Sequence, residues 1–200
     1  MPKNGTRKSI DKVQEICLTA AQIFFTKGYN ATSLNDIAKA LDMTKAGLYY
    51  YVESKQDLLY RIVRLGLDSV KDEVLDPAHE IADAEQRLRF IVYNHSLLTA
   101  GGNHAVIIIS HEVDSLNFNQ QQEVLKRRRD YFDFIRDTLV ELKSQGKLHE
   151  IDLTSATFTL LGMIIWLSRW FSPKGEMSLE EVCKDVCEMA LRGVLRNKEN

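Results

Sequence analysis

Two hundred residues, 44% hydrophobic and 27% charged, suffice for one or two small packed domains and suit neither a disordered nor a fibrous chain. The net charge of −2 conceals a polarity: residues 1–64 carry ten Lys and Arg against six Asp and Glu, the remainder sixteen against twenty-two, so a polyanion would meet the N-terminal end. No apolar run reaches the ~18 residues of a membrane span, no charged-then-apolar signal opens the chain, and three scattered cysteines make no disulfide framework; a cytoplasmic protein is expected.

Three prolines and few alternating β-branched runs predict an all-α chain. Met1 to Ser9, with Lys3, Arg7 and Lys8, reads as a loose basic arm able to add phosphate or minor-groove contacts. Asp11 to Lys27 is an amphipathic helix whose apolar positions are Val13, Ile16, Cys17, Ala20, Ala21, Phe24 and Phe25, with Gly28 as its stop.

The next stretch carries the densest signals. Ser33 followed by Asp36 is a capping-box pattern before Leu34, Ile37, Ala38 and Leu41. Asp42-Met43 interrupts the periodicity. Thr44 can cap a second short helix with Leu48 and Val52 turned inward. Ser54 and Asp57 repeat the box at the head of a longer helix. Short helix, turn and second short helix is helix-turn-helix spacing. At the second helix, Thr44, Lys45, Gly47, Tyr49 and Tyr50 offer hydroxyls, an ammonium and a bare backbone for close approach to a duplex. Thr32, Ser33 and Lys55 are further candidates, Lys55 as a phosphate ligand.

This stretch resembles the DNA-binding head of the TetR family of repressors. The matching residues are Gly28-Tyr29, Thr32-Ser33-Leu34, Asp36-Ile37-Ala38, Thr44-Lys45, Gly47-Leu48-Tyr49-Tyr50 and Ser54 to Leu59. Two positions depart from the usual pattern: Asp42 where glycine is common in the turn, and Val52 where an aromatic packs under the tyrosines. The resemblance implies a DNA-binding domain over residues 1–56 and a helical ligand-binding and dimerisation domain over 57–200.

Beyond it, Ser54 to about Leu75 reads as one long helix ended by Pro77. Ala82 to Ala100 is a helix closed by Gly101-Gly102. The apolar run Ala105 to Ile109 reads as a buried short helix, because an isolated strand has no partner. Leu116 to Gln120 is a polar connector, and Gln121 to Ser144 a long helix. Its Lys126-Arg127-Arg128-Arg129 cluster reads as a solvated face balanced by Asp130, Asp133 and Asp137. Asp152 to Phe171 is apolar nearly all round, and Leu179 to Leu195, capped by Ser178 and Glu181, is the last helix. Two such helices predict a two-fold homodimer closed by a four-helix seam.

Cys183 and Cys187 lie four apart and read as interface packing, since two ligands do not close a metal site. His95, His104, His111 and Glu112 have no metal-binding or catalytic spacing, and the histidines read as core or pocket groups making hydrogen bonds. No enzyme activity, metal or cofactor is expected. Trp166, Arg169 and Trp170, followed by Pro173 and Gly175, are similar to the branch of the family that senses fatty-acyl or steroid-acyl coenzyme A thioesters. That similarity implies a long apolar ligand with an anionic head, lined by Phe90, Phe134, Met163, Trp166 and Trp170, with Arg169 as charge partner. The expected protein is therefore a repressor that binds a palindromic operator, associates with the nucleoid when bound, and is released by its effector. The alternatives are a structural DNA-binding factor without a ligand, an enzyme, and a regulator switched by a protein partner.

Overall fold

The computed structural model describes residues 4–110 and 112–196, with side chains described from residue 12. Its helices are α1 (Asn4–Lys27), α2 (Leu34–Ala40), α3 (Lys45–Tyr49), α4 (Lys55–Val70), α5 (Asp76–His79), α6 (Ala84–Ala100), α7 (His104–Ile108), α8 (Phe118–Ser144), α9 (Leu153–Trp170) and α10 (Leu179–Val194). The described residues hold no strand, only a single bridge between Leu148 and Leu195. None of their helices is long and apolar enough to cross a membrane.

The chain packs as two compact units. The first is residues 1–67 with 104–124, the second 68–103 with 125–200. Two of the three boundaries fall inside helices, α4 and α8, and the third lies between α6 and α7. The first unit therefore takes in α7, on the far side of the sequence division at residue 56. Gly66 supplies the reason. A Cβ there would lie 2.4 Å from the carbonyl oxygen of Ala105 and 2.6 Å from its carbon. Only glycine lets the backbones of α4 and α7 meet this closely. Ile16, Ala20, Phe24, Ile37, Leu48, Leu58, Leu59 and Ile62 are essentially inaccessible in this unit, with Ala105 and Ile108 of α7 packed among them.

Three boundaries differ from the sequence expectation. α1 begins at Asn4, so residues 4–9 continue that helix; residues 1–3 of the expected arm lie outside the described residues. Pro77 does not end the helical run of α4. Residues Lys71–Leu75 widen into a π turn in which the Asp76 N–H donates to the Lys71 carbonyl, and the helix resumes as α5 with proline in its first turn. Proline lacks the N–H that an α-helical register needs, but is tolerated in a first turn, where that N–H has no intrahelical partner. α8 begins at Phe118 because Asn117 and Gln120 exchange hydrogen bonds, the Gln120 N–H to Asn117 at 3.0 Å and the Asn117 N–H to Gln120 at 3.2 Å. That reciprocal pair is a capping box in residues the sequence reading assigns to a connector.

In the second unit α6 packs against α9 and α10, and Leu167, Val182 and Val186 form a cluster at the α9–α10 contact. Cys183 and Cys187 are buried in this unit. Burial pushes both thiols up to about 11, which makes them inert packing at neutral pH. In the basic cluster of α8, Lys126, Arg128 and Arg129 are exposed, whereas Arg127 reaches across to Asp68 at 2.7 Å.

Candidate nucleic-acid interface and effector region

Each reading element of the first unit is set by a local cap. The Ser33 hydroxyl accepts the Asp36 N–H at 3.2 Å, and the Asp36 carboxylate accepts the Ser33 N–H at 2.9 Å. The Ser33 hydroxyl also donates to the Asp36 carboxylate at 2.7 Å, and this bond, with the one from the Ser33 N–H, holds the Asp36 carboxyl below the usual carboxylate range. The turn after α2 passes through Asp42 at φ 52, the left-handed conformation that Asp tolerates better than most residues. Thr44 then caps α3 by accepting the Gly47 N–H at 3.0 Å. A Cβ on Gly47 would sit 3.2 Å from that Thr44 oxygen, so the glycine relieves the cap as well as baring the backbone. Leu48 and Val52 are fully buried, and valine fills the aromatic's usual place. Asp57 in turn accepts from Glu53 and donates its own N–H to Ser54 at 3.0 Å.

With Leu48 anchored, the remaining positions of α3 face outward. Ser33, Thr44 and Lys45 are exposed, Tyr49 is 46% exposed and Tyr50 is 82% exposed. The Lys45 ammonium stands 5.8 Å from the Tyr49 ring centre, and Tyr50 leans edge-on against Tyr51 at 5.0 Å. Lys45 and Tyr49 share one face of α3 and Tyr50 is exposed at its C-cap, an ammonium and two phenols of the kind that contact phosphates and base edges.

Thr32 and Lys55 sit differently. Thr32 is 2% exposed, and its hydroxyl donates to the Gly28 carbonyl at 2.8 Å. The Lys55 ammonium donates to the carbonyls of Tyr29 and Thr32, both at 3.0 Å, and lies 4.3 Å above the Tyr29 ring. Both side chains face inward, onto the loop between α1 and α2.

The two clefts described in the second unit each take in one of the six residues expected to line an effector site. Phe90 borders an open cleft of about 490 Å³ between α6 and α10, together with Ile81, Arg89, Tyr93 and Lys184. Met163 borders another of about 340 Å³ between α9 and α10, with Ala156, Leu160 and Met189. Phe134 packs on His79, ring centres 4.1 Å apart. Trp166 is 63% and Trp170 53% exposed, and Arg169 is exposed in the last turn of α9. The apolar composition of α9 predicts burial on several sides. Instead one stripe is buried (Ala156, Thr157, Leu160, Ile164 and Leu167) and the aromatic residues lie off it.

On α6, His95 is the buried, hydrogen-bonded core histidine expected from the sequence, and the buried hydroxyls beside it are not expected from it. His95, Ser96 and Thr99 are buried, and His95 Nδ1 lies 3.1 Å from the Tyr131 hydroxyl on α8. Burial pulls the imidazole down to about 4 and pushes the phenol well above its ordinary range. Both are therefore neutral at pH 7. The hydroxyls of Ser96 and Thr99 and the side-chain oxygen of Asn103 have no hydrogen-bond partner among the described residues. The described residues contain no group of three or more His, Cys, Asp or Glu able to hold a metal, and His111 lies outside them.

A capped helix pair with an exposed, basic and aromatic second helix defines a helix-turn-helix DNA-binding protein. The chain belongs to the TetR family. Residues 16–62 match the family described as bacterial regulatory proteins, tetR family, and residues 82–194 match the tetracyclin repressor-like C-terminal domain. It is a transcriptional regulator, not an enzyme. AibR, solved in complex with isovaleryl coenzyme A and operator DNA, is 34% identical with a TM-score of 0.82, over 88% of this chain and 96% of that one. The fatty acid metabolism regulator protein of Bacillus subtilis (strain 168) is 21% identical over 92% of this chain and 95% of its own. The transcriptional repressor KstR2 of Rhodococcus jostii (strain RHA1) is 25% identical over 96% of each.

Proposed function

We propose that this chain is a dimeric repressor. It holds a palindromic operator through Ser33, Thr44, Lys45, Gly47, Tyr49 and Tyr50, and is released by a largely apolar effector of the acyl coenzyme A class. The observation that carries the DNA half is the Thr44-capped α3, which buries Leu48 and turns Lys45, Tyr49 and Tyr50 outward. On this reading residues 1–56 are the DNA-binding domain and 57–200 the effector and dimer domain.

The effector half draws support from AibR, crystallised with an acyl coenzyme A and its operator, and from a relative named for fatty acid metabolism. Within the second unit, neutral His95 and Tyr131 and the partnerless hydroxyls of Ser96 and Thr99 are suited to a thioester carbonyl and its amide neighbours. Buried polar groups usually find partners, and a ligand is one source of them. Phe158, Trp166, Trp170 and Met189, each more than half exposed on α9 and α10, form the homodimer seam. Two heads then reach successive major-groove faces roughly 34 Å apart.

The test is operator release. A fragment upstream of the gene is saturated with protein and titrated with acyl coenzyme A thioesters of increasing chain length, with free coenzyme A as control. Release by a subset of chain lengths is the expected result. Retention of DNA throughout the series removes the acyl thioester from the proposal and leaves the DNA-binding assignment standing.

A further inference from the structure

We infer that Lys55 is a positioning residue of the DNA-reading unit, tying the first turn of α4 to the loop that delivers α2. This rests on the reading that α2 and α3 face the duplex. The geometry is specific. α1 ends at Gly28, which adopts φ 85, and the chain then crosses Tyr29 to Thr32 before Ser33 caps α2. The Thr32 N–H donates to the Tyr29 carbonyl at 3.1 Å, and the Thr32 hydroxyl reaches back to the Gly28 carbonyl at 2.8 Å. The carbonyls of Tyr29 and Thr32 both accept from one ammonium, which is supplied 23 and 26 residues away by Lys55.

The lysine stem and its charge lie over the Tyr29 ring, and Tyr29 packs edge-on against Phe24 of α1 at 5.1 Å. Charge-assisted bonds to carbonyls are stronger than neutral ones. Two of the three ammonium protons are thus held by the protein. Lys45, by contrast, is exposed on α3 and accepts no such constraint from the fold. Lys55 instead fixes where the Ser33 cap begins, and so where the N-terminus of α2 stands relative to α3 and α4.

Salt dependence separates the two roles. Each phosphate contact releases counterions and steepens the fall of affinity with salt by about one unit of log–log slope. A positioning residue changes affinity and leaves that slope alone. The experiment measures binding of a random-sequence duplex of about 25 base pairs and of the upstream fragment, between about 50 and about 200 mM salt. The proteins are wild type, Lys55→Met, Thr32→Val and Lys45→Ala. Methionine keeps a linear stem over Tyr29 and removes the donors. Lys55→Met is expected to bind roughly tenfold more weakly, from the loss of two charge-assisted bonds, at an unchanged slope. Thr32→Val, which cuts the same loop without touching a charge, is expected to shift affinity in the same direction, again at an unchanged slope. It carries the test if Lys55→Met does not fold. Amide exchange at Thr32 to Leu34 is expected to quicken in both and to stay unchanged in Lys45→Ala.

A slope flattened by about one unit in Lys55→Met, matching Lys45→Ala, makes Lys55 a phosphate ligand and overturns the inference. Unchanged affinity together with unchanged loop exchange overturns it as well. Wild-type protein that binds neither duplex removes the underlying reading, and is seen before any variant is compared.

Discussion

The helix pair α2–α3 and the long helix α9 treat their apolar residues in opposite ways. In the first pair Leu34, Ile37, Ala38 and Leu48 are all buried within their own unit, and what faces outward is polar, phenolic or alanine. On α9 one stripe is buried, yet Phe158, Trp166 and Trp170 remain 53–63% exposed, with Met189 of α10 beside Met163 and Leu160 at a shallow cleft. The first arrangement is complete as one chain: its exposed surface is suited to water and to a polyanion. The second leaves a large aromatic surface that a second copy would cover. On the proposed reading function divides accordingly, with a preformed reading surface at one site and an association surface at the other.

The largest expected effect tests how sharp this division is. Val186 is 5% exposed in the cluster with Leu167 and Val182. Although it lies on the final helix, it belongs to the interior of the unit and not to its outer face. Val186→Glu is expected to cost about 4 kcal/mol, the order seen for an uncompensated buried charge, and to unfold the second unit rather than separate protomers. Loss of a cooperative unfolding transition in circular dichroism is the signature. A folded, monomeric Val186→Glu would move this residue to the seam.

Trp166→Glu is the complement. The indole is 63% exposed, so the fold should tolerate the change. An aromatic anchor at an interface is worth about 2–4 kcal/mol, and its loss should turn the dimer into monomer in sedimentation velocity with helix content intact. Operator affinity should fall with it, because one head alone makes half the contacts. A wild type that sediments as monomer at micromolar concentration would refute the seam.

A third test lies within the second unit. Burial pulls His95 from 6.5 to about 4, so the folded chain keeps this group neutral over that interval while the unfolded chain protonates it. The unfolded state therefore binds more protons below pH 6.5, and stability falls as pH drops toward 4. At about pH 5 the loss from this group alone is about 2 kcal/mol. His95→Gln, which does not titrate, should show a smaller drop in denaturant midpoint between about pH 7.5 and about pH 5 than wild type. Equal drops would mean that His95 reaches water in the folded state.

The same division explains what was legible in the sequence. Ser33 with Asp36, and Thr44 with Gly47, bond across three residues, so spacing alone predicts them. The left-handed turn follows from the residue type of Asp42. The all-helical class follows from periodicity. Lys55 carries no such mark, because its partners are set by how α1 closes on α4. His95 and Tyr131 meet across 36 residues. The outward side of α9 is also hidden from composition: a helix apolar nearly all round reads as buried, whether its own chain or a second one does the burying. The Asn117–Gln120 box was visible in spacing, but polar neighbours make such a stretch look like a connector.

The smallest expected effect concerns the reading surface itself. Lys45 and Tyr49 are exposed on α3 and make no contact that the core needs, so Lys45→Ala and Tyr49→Phe should leave the thermal midpoint unchanged. Lys45→Ala removes one cation from a polyanion-facing helix. It should weaken duplex binding by about tenfold at low salt and flatten the salt slope by about one unit. Tyr49→Phe removes a neutral hydroxyl only. A net hydrogen bond of about 1 kcal/mol corresponds to a loss of about fivefold, with the slope unchanged because no counterion is involved. Paired electrophoretic titrations of the two variants across salt separate the charge from the hydroxyl. If neither variant shifts affinity, α3 is not the reading helix, and the complete, outward-facing polar surface of the first unit must serve a partner other than DNA.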